Sequence, residues 1–238
     1  LAGPFLTGRA TEQVKADVAY SSVPVILCGM SPGMAYGELG PTHHSVEDLS
    51  WMRALPNLDI VIPADELQTQ QAVRWAVEAG RPTYLRVGRH KVPNLVAEGT
   101  PFIRGAFVEM SAGKDVTIIA AGSMVSRAVA AAAILKHQGV NARILNATFI
   151  APLDEAAIKK AAKETRGIVT VEEANISGGL GAAVASVLGS LDSDSRVPLR
   201  IVGTDDWSPT LSTEALYTHF GLTAENIAQQ VHEVLSRD

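Results

Sequence analysis

The segment Gly37-Glu38-Leu39-Gly40-Pro41-Thr42-His43-His44-Ser45-Val46-Glu47-Asp48 places two adjacent histidines and three carboxylates around a Gly-Pro turn. Glycine admits positive φ and proline lacks an amide N–H, so this stretch is predicted to be a loop. Imidazole and carboxylate groups can move protons at neutral pH. Such a density of them on one loop indicates chemistry rather than packing.

The residues after this loop predict a helix that begins near Ser45. The hydroxyl of Ser45 is a suitable N-cap, and Asp48 stands three residues later, where a capping box has its acidic residue. Apolar residues follow between Leu49 and Leu55, and Pro56 ends the pattern. The loop is therefore expected to lead directly into a short helix.

Sequence on both sides of the loop resembles one family. Three consecutive features resemble the pyrimidine-binding domain of transketolases. They are the pattern Gly-Glu-x-Gly-Pro-Thr-His, an acidic helix, and Met-Arg-Ala-Leu-Pro-Asn at residues 52–57. Pro-Ala-Asp at residues 63–65 with the helix after it, and Pro-Thr-Tyr-Leu-Arg-Val-Gly-Arg at residues 82–89, resemble the last helix and strand of that domain.

The second half of the chain resembles the C-terminal domain of the same family. Its blocks are Lys-Asp-Val-Thr-Ile-Ile-Ala-Ala-Gly-Ser at residues 114–123, Val-Glu-Glu-Ala-Asn at residues 171–175 and Gly-Gly-Leu-Gly at residues 178–181. Each block alone is weak, but together they follow the family's order over nearly the whole chain. The glycine cluster lacks the spacing of a dinucleotide-binding loop and is expected to allow close helix packing.

The resemblance implies an α/β protein with two domains. The first would have the three-layer, mostly parallel fold of the pyrimidine domain that binds thiamine diphosphate, and the second would be a smaller α/β C-terminal domain. Alternation of strand and helix patterns points to the same class. From Arg89 to Pro101 the apolar residues show neither helical nor strand spacing, which indicates a linker. We place the domains at residues 1–98 and 99–238. The first domain is expected to lack its N-terminal part, because the chain enters the resemblance in mid-domain.

Hydrophobic periodicity predicts the individual elements. Helices are expected at residues 8–20, 66–79, 123–138, 154–164, 179–191 and 224–236, and strands at 23–28, 60–62, 116–121, 140–145, 167–171 and 199–202. Gly80 is expected to end the second helix as a C-cap, and Ser123 to cap the third.

Composition narrows the function classes. The 238 residues carry a net charge of −5, with scattered basic residues, so no nucleic-acid partner is expected. No apolar run approaches the roughly 20 residues that span a bilayer, and no signal-peptide pattern opens the chain, so we expect no membrane partner and a cytoplasmic location. The single cysteine, Cys28, cannot form an internal disulfide and is predicted to be a buried thiol in a strand.

The resemblance assigns catalysis to His43, which follows Gly-Pro-Thr and would assist proton transfer on sugar oxygens. An imidazole with a pKa of about 6.5 suits this role; the alternative is a loop histidine that only hydrogen-bonds the turn. Arg89 matches the arginine that holds the sugar phosphate, and guanidinium geometry suits that group. Its alternative is a surface ion pair.

Three further residues have weaker assignments. His44 would orient the substrate or simply shape the loop. Glu38 belongs to the motif and would support the cofactor, or else bind backbone amides across a subunit contact. Phe5 lies near the position where relatives place aromatics against the aminopyrimidine ring, although a core phenylalanine flanking a helix is equally compatible with the sequence.

Two residues depart from the transketolase pattern. Leu39 stands where these enzymes usually carry an aspartate that reads the acceptor's C2 hydroxyl, and Ser31 stands where they often carry a second phosphate-facing histidine. Leucine neither donates nor accepts a hydrogen bond. The substrate is therefore expected to differ from common pentose-phosphate sugars, for example a branched ketose phosphate or an aldehyde without that hydroxyl.

The resemblance also implies thiamine diphosphate and Mg²⁺ held mainly by another polypeptide. The family's Gly-Asp-Gly motif for the metal does not occur in this chain, so no residue here is assigned as a metal ligand. The expected partners are an N-terminal transketolase subunit, further copies in an α2β2-type assembly, and sugar phosphates.

Other interpretations remain open at the level of sequence. A subunit similar to deoxyxylulose-phosphate synthase usually keeps the aspartate that is missing at Leu39, and a subunit similar to 2-oxoacid dehydrogenases lacks the Gly-Pro-Thr-His block. A non-catalytic paralogue could serve only in assembly.

Overall fold

The computed structural model describes residues 1–236, which form two mostly parallel sheets covered by helices. The strands are β1 (Ile26–Met30), β2 (Asp59–Val61), β3 (Thr83–Val87), β4 (Val108–Ser111), β5 (Val116–Ala120), β6 (Ala142–Asn146), β7 (Phe149–Ala151), β8 (Ile168–Asn175) and β9 (Leu199–Thr204). The expected α/β class with mostly parallel sheets is confirmed.

The helices alternate with these strands. They are α1 (Gly3–Thr7), α2 (Thr11–Gln13), α3 (Asp48–Arg53), α4 (Glu66–Ala79), α5 (Met124–His137), α6 (Glu155–Glu164), α7 (Leu180–Gly189), α8 (Thr213–His219) and α9 (Ala224–Leu235), with a wider π-helical segment at Val14–Tyr20 and short 3₁₀ turns at Gly37–Leu39 and Ser193–Ser195. None of the helices within residues 1–236 has the length and apolar character needed to cross a bilayer.

The first sheet has the strand order β1-β3-β2-β7. Strands β1, β3 and β2 run parallel, and β7 pairs antiparallel with β2. Met30 and Val87 are register partners at the carboxyl ends of β1 and β3. The loops that follow these two strands therefore leave the sheet side by side, which is where ligands bind in open α/β sheets.

The second sheet has the order β4-β6-β5-β8-β9, with only β4 antiparallel. Every residue of β5 is buried, as expected for a central parallel strand rich in apolar residues. Ile118 belongs to a core with α5 and α9, whereas Ile119 belongs to a core with α6 and α7. The latter core also contains Met52 and Tyr84, so apolar packing continues from one half of the chain into the other.

Helix α4 has the predicted bounds because its signals are local. The Asp65 carboxylate accepts a hydrogen bond of 2.9 Å from the Gln68 amide, and Gly80 ends the helix with a φ of 58°. The other predicted helices of the second half agree with the structure to within two residues.

Several element predictions were wrong in detail. The helix expected at residues 8–20 is interrupted, and helical structure already begins at Gly3. Strand β1 lies at the edge of its sheet, with Ile26 and Met30 well exposed, so Cys28 is only half-buried. Strands β4 and β7 and helix α8 were not predicted.

The two predictions that a serine hydroxyl caps a helix, at Ser45 and at Ser123, were also wrong. Helix α3 begins at Asp48 rather than near Ser45, and no side chain caps it. Ser123 stands at the N-cap of α5 but donates its hydroxyl to Glu173 instead. The Ser123 hydroxyl has a partner distant in sequence, and the Ser45 hydroxyl is buried without a hydrogen-bond partner among the described residues.

Candidate functional site

The loop after β1 begins with a sharp turn. Ser31 adopts a φ of 54°, its side chain is buried, and its amide donates to the Val87 carbonyl at 3.1 Å. Gly33 and Ser45 then exchange two backbone hydrogen bonds that close the base of the loop. Ser31 therefore shapes the start of the loop through its backbone, and its side chain does not line the clefts described next.

His43 and Phe5 are brought together from separate segments. Their ring centroids lie 5.3 Å apart at an interplanar angle of 77°. The Nδ1 atom of His43 lies 3.0 Å from the Thr42 hydroxyl, and the imidazole is partly exposed. The guanidinium of Arg9 lies 4.3 Å from the centroid of the Phe5 ring. An aromatic ring and an imidazole thus share one surface.

His44 is buried and holds the turn from inside. Its Nε2 donates a hydrogen bond to the Gly37 carbonyl at 3.1 Å. Within the described residues, Nδ1 is buried without a hydrogen-bond partner. His44 also lines a cleft of about 340 Å³ together with Phe5, Trp51 and Trp207. The imidazole of His44 is therefore held by the turn beside an aromatic cleft.

A second cleft, of about 570 Å³, contains the other predicted residues. Glu38 and Leu39 from the loop after β1 face Arg89 from the loop after β3. Glu38 and Arg89 are exposed, Leu39 is 55% exposed, and the Arg89 guanidinium lies 5.1 Å from the centroid of the Tyr36 ring. The basic row Arg89-His90-Lys91 also lines a neighbouring cleft of about 630 Å³. This arrangement suits an anionic ligand.

A buried ion pair that the sequence did not reveal supports the loop. Arg86 Nε lies 2.7 Å from Asp48 Oδ2, and the Tyr84 hydroxyl donates to the same oxygen at 2.6 Å. Arg86 Nη2 also donates to the carbonyls of Ser45 and Glu173. Burial lowers the pKa of Arg86, but the Asp48 carboxylate more than offsets this, so the net pKa is raised. Arg86 remains charged.

Two adjacent buried glutamates on β8 face opposite ways. Glu173 accepts from the Met34 amide at 2.7 Å and from the Ser123 hydroxyl at 2.9 Å. Glu172 accepts from the amides that open α7, at 2.6 and 2.7 Å. Burial raises the pKa of both carboxyls, that of Glu172 to about 7.

The glycine cluster allows Glu172 to approach the start of α7. A Cβ on Gly179 would overlap the Glu172 carboxylate, and one on Gly178 would collide with Ser50. The cluster therefore serves close packing, as expected. Charged residues within the apolar runs of β3 and β8 were the sequence signal for these buried contacts.

The described residues contain no group of three or more histidine, cysteine, aspartate or glutamate side chains that could hold a metal ion. The side chains that could contact a planar ring line the 340 Å³ cleft, among them Phe5, Trp51 and Trp207. The aromatic lining of this cleft suits a planar ligand.

Comparison with protein families gives two matches in sequence order. Residues 2–94 match the model described as the transketolase pyrimidine binding domain, and residues 105–227 match the transketolase C-terminal domain. Together the two matches cover most of the chain.

Individual relatives give the same result. The chain is 40% identical to a subunit of the apulose-4-phosphate transketolase of Phocaeicola vulgatus, over 98% of this chain and 74% of the relative. It is 37% identical to the 6-deoxy-6-sulfo-D-fructose transketolase subunit SqwH of a Clostridium species, over 98% of this chain and 72% of the relative. Among solved structures, a split-gene transketolase described as an inactive beta4 tetramer superposes with a TM-score of 0.91 at 34% identity, covering 99% of this chain and 75% of the other.

Proposed function

Since this chain belongs to the transketolase family of thiamine-diphosphate-dependent transferases, we propose that it is the second-half subunit of a two-chain transketolase in the cytoplasm. The observation that carries this proposal is the site itself. His43 and Phe5 meet on one surface, and Arg89 leaves the neighbouring strand at the same end of the first sheet.

The cofactor would be shared with a partner subunit. Thiamine diphosphate, when bound, supplies the electron sink for breaking and forming a carbon–carbon bond. Phe5 would pack against its pyrimidine ring, with Glu38 supporting the loop nearby. The Gly-Asp-Gly motif for Mg²⁺ is absent from this sequence, so the diphosphate and metal would be held by the partner, in an α2β2-type assembly.

The residues of this chain would bind and orient the sugar. Arg89 would hold its anionic group, with the adjacent basic residues His90 and Lys91 lining the same cleft. His43 would take up and return a proton at a sugar oxygen. His44 and Ser31 would act on the substrate only through the loop shape, because both side chains are buried.

Leu39 would set the substrate class. Its side chain is exposed in the cleft with Arg89 and offers no polar atom to a C2 hydroxyl. The two relatives are named for sugars that carry a phosphate or a sulfo group, which agrees with an anion site. We therefore propose a non-standard phosphorylated sugar, such as a branched ketose phosphate, as the substrate.

Calorimetry tests the shared cofactor site. Thiamine diphosphate and Mg²⁺ are titrated into this chain, into the proposed N-terminal partner subunit, and into their mixture. We expect saturable binding only in the mixture, and a Phe5→Leu chain should weaken it. His43→Asn should keep the binding and lower the transfer rate with a sugar-phosphate panel. No binding by a correctly assembled pair would favour the non-catalytic assembly role.

A further inference from the structure

A carboxylate from the second half of the chain holds the loop that carries His43. Glu173 lies on β8, is nearly inaccessible, and accepts the Met34 amide at 2.7 Å. Met34 follows Gly33 at the base of the loop and is itself fully buried. A charge-assisted hydrogen bond in such a buried setting is short and strong.

The opposite side of Met34 is also held by the second half. The Thr213 hydroxyl, at the start of α8, donates to the Met34 carbonyl at 3.0 Å. The other oxygen of Glu173 accepts the Ser123 hydroxyl at 2.9 Å, which fixes the carboxylate in place. Both polar groups of the Met34 backbone are therefore bound by side chains more than 130 residues away in sequence.

The loop backbone is adapted to this carboxylate. Gly33 has a φ of 64°, and a Cβ there would overlap the Glu173 carboxyl group. Arg86 donates to the Glu173 backbone carbonyl and to Ser45, at the other end of the loop. One end of the loop is thus bound by Glu173 directly, and the other is bound by Arg86, which also donates to the Glu173 carbonyl.

We propose that Glu173 is a positioning residue for the proton-transfer loop, through which the second half of the chain sets the placement of His43. It does not line the clefts described above and would act only through the loop backbone. The kinetic consequence rests on the function proposed for His43, whereas the effect on the loop itself does not.

Hydrogen exchange measured by mass spectrometry on the full-length chain tests the structural step without any activity. In Glu173→Met, which keeps the volume but removes the acceptor, amides of residues 33–45 should exchange about 10- to 100-fold faster, the range for losing a charged hydrogen bond. Glu173→Gln retains an acceptor oxygen and should restore most of the protection. Thr213→Val, which loses only a neutral hydroxyl, should give a smaller change at the same residues.

The adjacent Glu172 provides the matched control. It is equally buried on the same strand but accepts from the start of α7, so Glu172→Met should speed exchange near residues 179–190 and leave residues 33–45 unchanged. In the assembled enzyme, Glu173→Met should lower kcat, because the loop carries His43.

The outcomes separate the two proposals. Unchanged exchange at residues 33–45 in a folded Glu173→Met chain, uniform acceleration over the whole chain, or failure of Glu173→Gln to restore protection would each overturn the positioning role. If Glu173→Met does not fold, Thr213→Val must show the local change, and its absence would also overturn the role. Faster loop exchange without any loss of kcat would instead count against the function proposed for His43.

Discussion

Replacing Asp48 by asparagine should destabilise the protein far more than an ordinary charge change. Asp48 is fully buried and accepts two hydrogen bonds from Arg86, at 2.7 and 3.2 Å, and one from the Tyr84 hydroxyl at 2.6 Å. Asparagine has nearly the same shape but no charge. The guanidinium of Arg86, only 5% exposed, would then lose the carboxylate to which it is hydrogen-bonded.

The magnitude follows from this burial. Removing one partner of a buried ion pair destabilises a protein by about 3–5 kcal/mol, because the other charge stays desolvated. For a chain of this size each kcal/mol lowers the melting temperature by about 2–4 °C. Asp48→Asn should therefore lower it by about 6–20 °C.

Urea denaturation and thermal melting of the purified chain measure this effect. The control is Glu155→Gln, which removes an exposed helical pair with Lys159 and should change stability by less than about 0.5 kcal/mol. A loss below about 1 kcal/mol in Asp48→Asn would refute the reasoning.

Three further results are expected. Leu39→Asp should raise turnover with ordinary aldose phosphates, since it adds a hydrogen-bond acceptor at an exposed position; unchanged selectivity in steady-state assays would contradict this. Arg89→Ala should raise KM for a phosphorylated sugar about 10- to 100-fold and leave an unphosphorylated sugar unaffected. The carboxyl of Glu172 has a pKa of about 7 when folded and about 4.5 when unfolded, so its contribution to stability is complete below pH 4.5 and is lost as pH rises through 7. In urea titrations, the free energy of unfolding of the wild type should fall by up to about 3 kcal/mol over that pH range. Glu172→Gln should lack this pH-dependent loss. Equal pH dependence of the two proteins would contradict the prediction.

Local rules predicted those parts of the fold whose partners lie within a few residues. The bounds of α4 follow from the Asp65 cap and from Gly80, and both signals are complete within the helix and its flanks. The β-branched and mostly apolar sequence of β5 likewise needs no distant information to indicate a central strand.

The cap predictions failed where a polar side chain forms its hydrogen bonds with a residue distant in sequence. The spacing of Ser45 and Asp48 satisfies a capping box, yet Asp48 binds Arg86, 38 residues away. Ser123 satisfies the rule for an N-cap, yet its hydroxyl binds Glu173. Local spacing cannot predict whether a side chain will bind a nearby amide or a charged group distant in sequence, because the distant group comes within reach only after the sheets have packed.

The same limit explains why the predicted site was incomplete. Every residue assigned from sequence lies within residues 1–98, and the structure brings Phe5 to His43 and Leu39 to Arg89. The loop that joins these contacts, however, is bound at Met34 by side chains of β8 and α8, and strand β7 completes the first sheet from the second half. Since a backbone amide buried without its acceptor is unfavourable, the loop can keep this conformation only when the second half is folded against it. The geometry of the site is therefore a property of the whole chain, even though the groups assigned to the chemistry come from its first part.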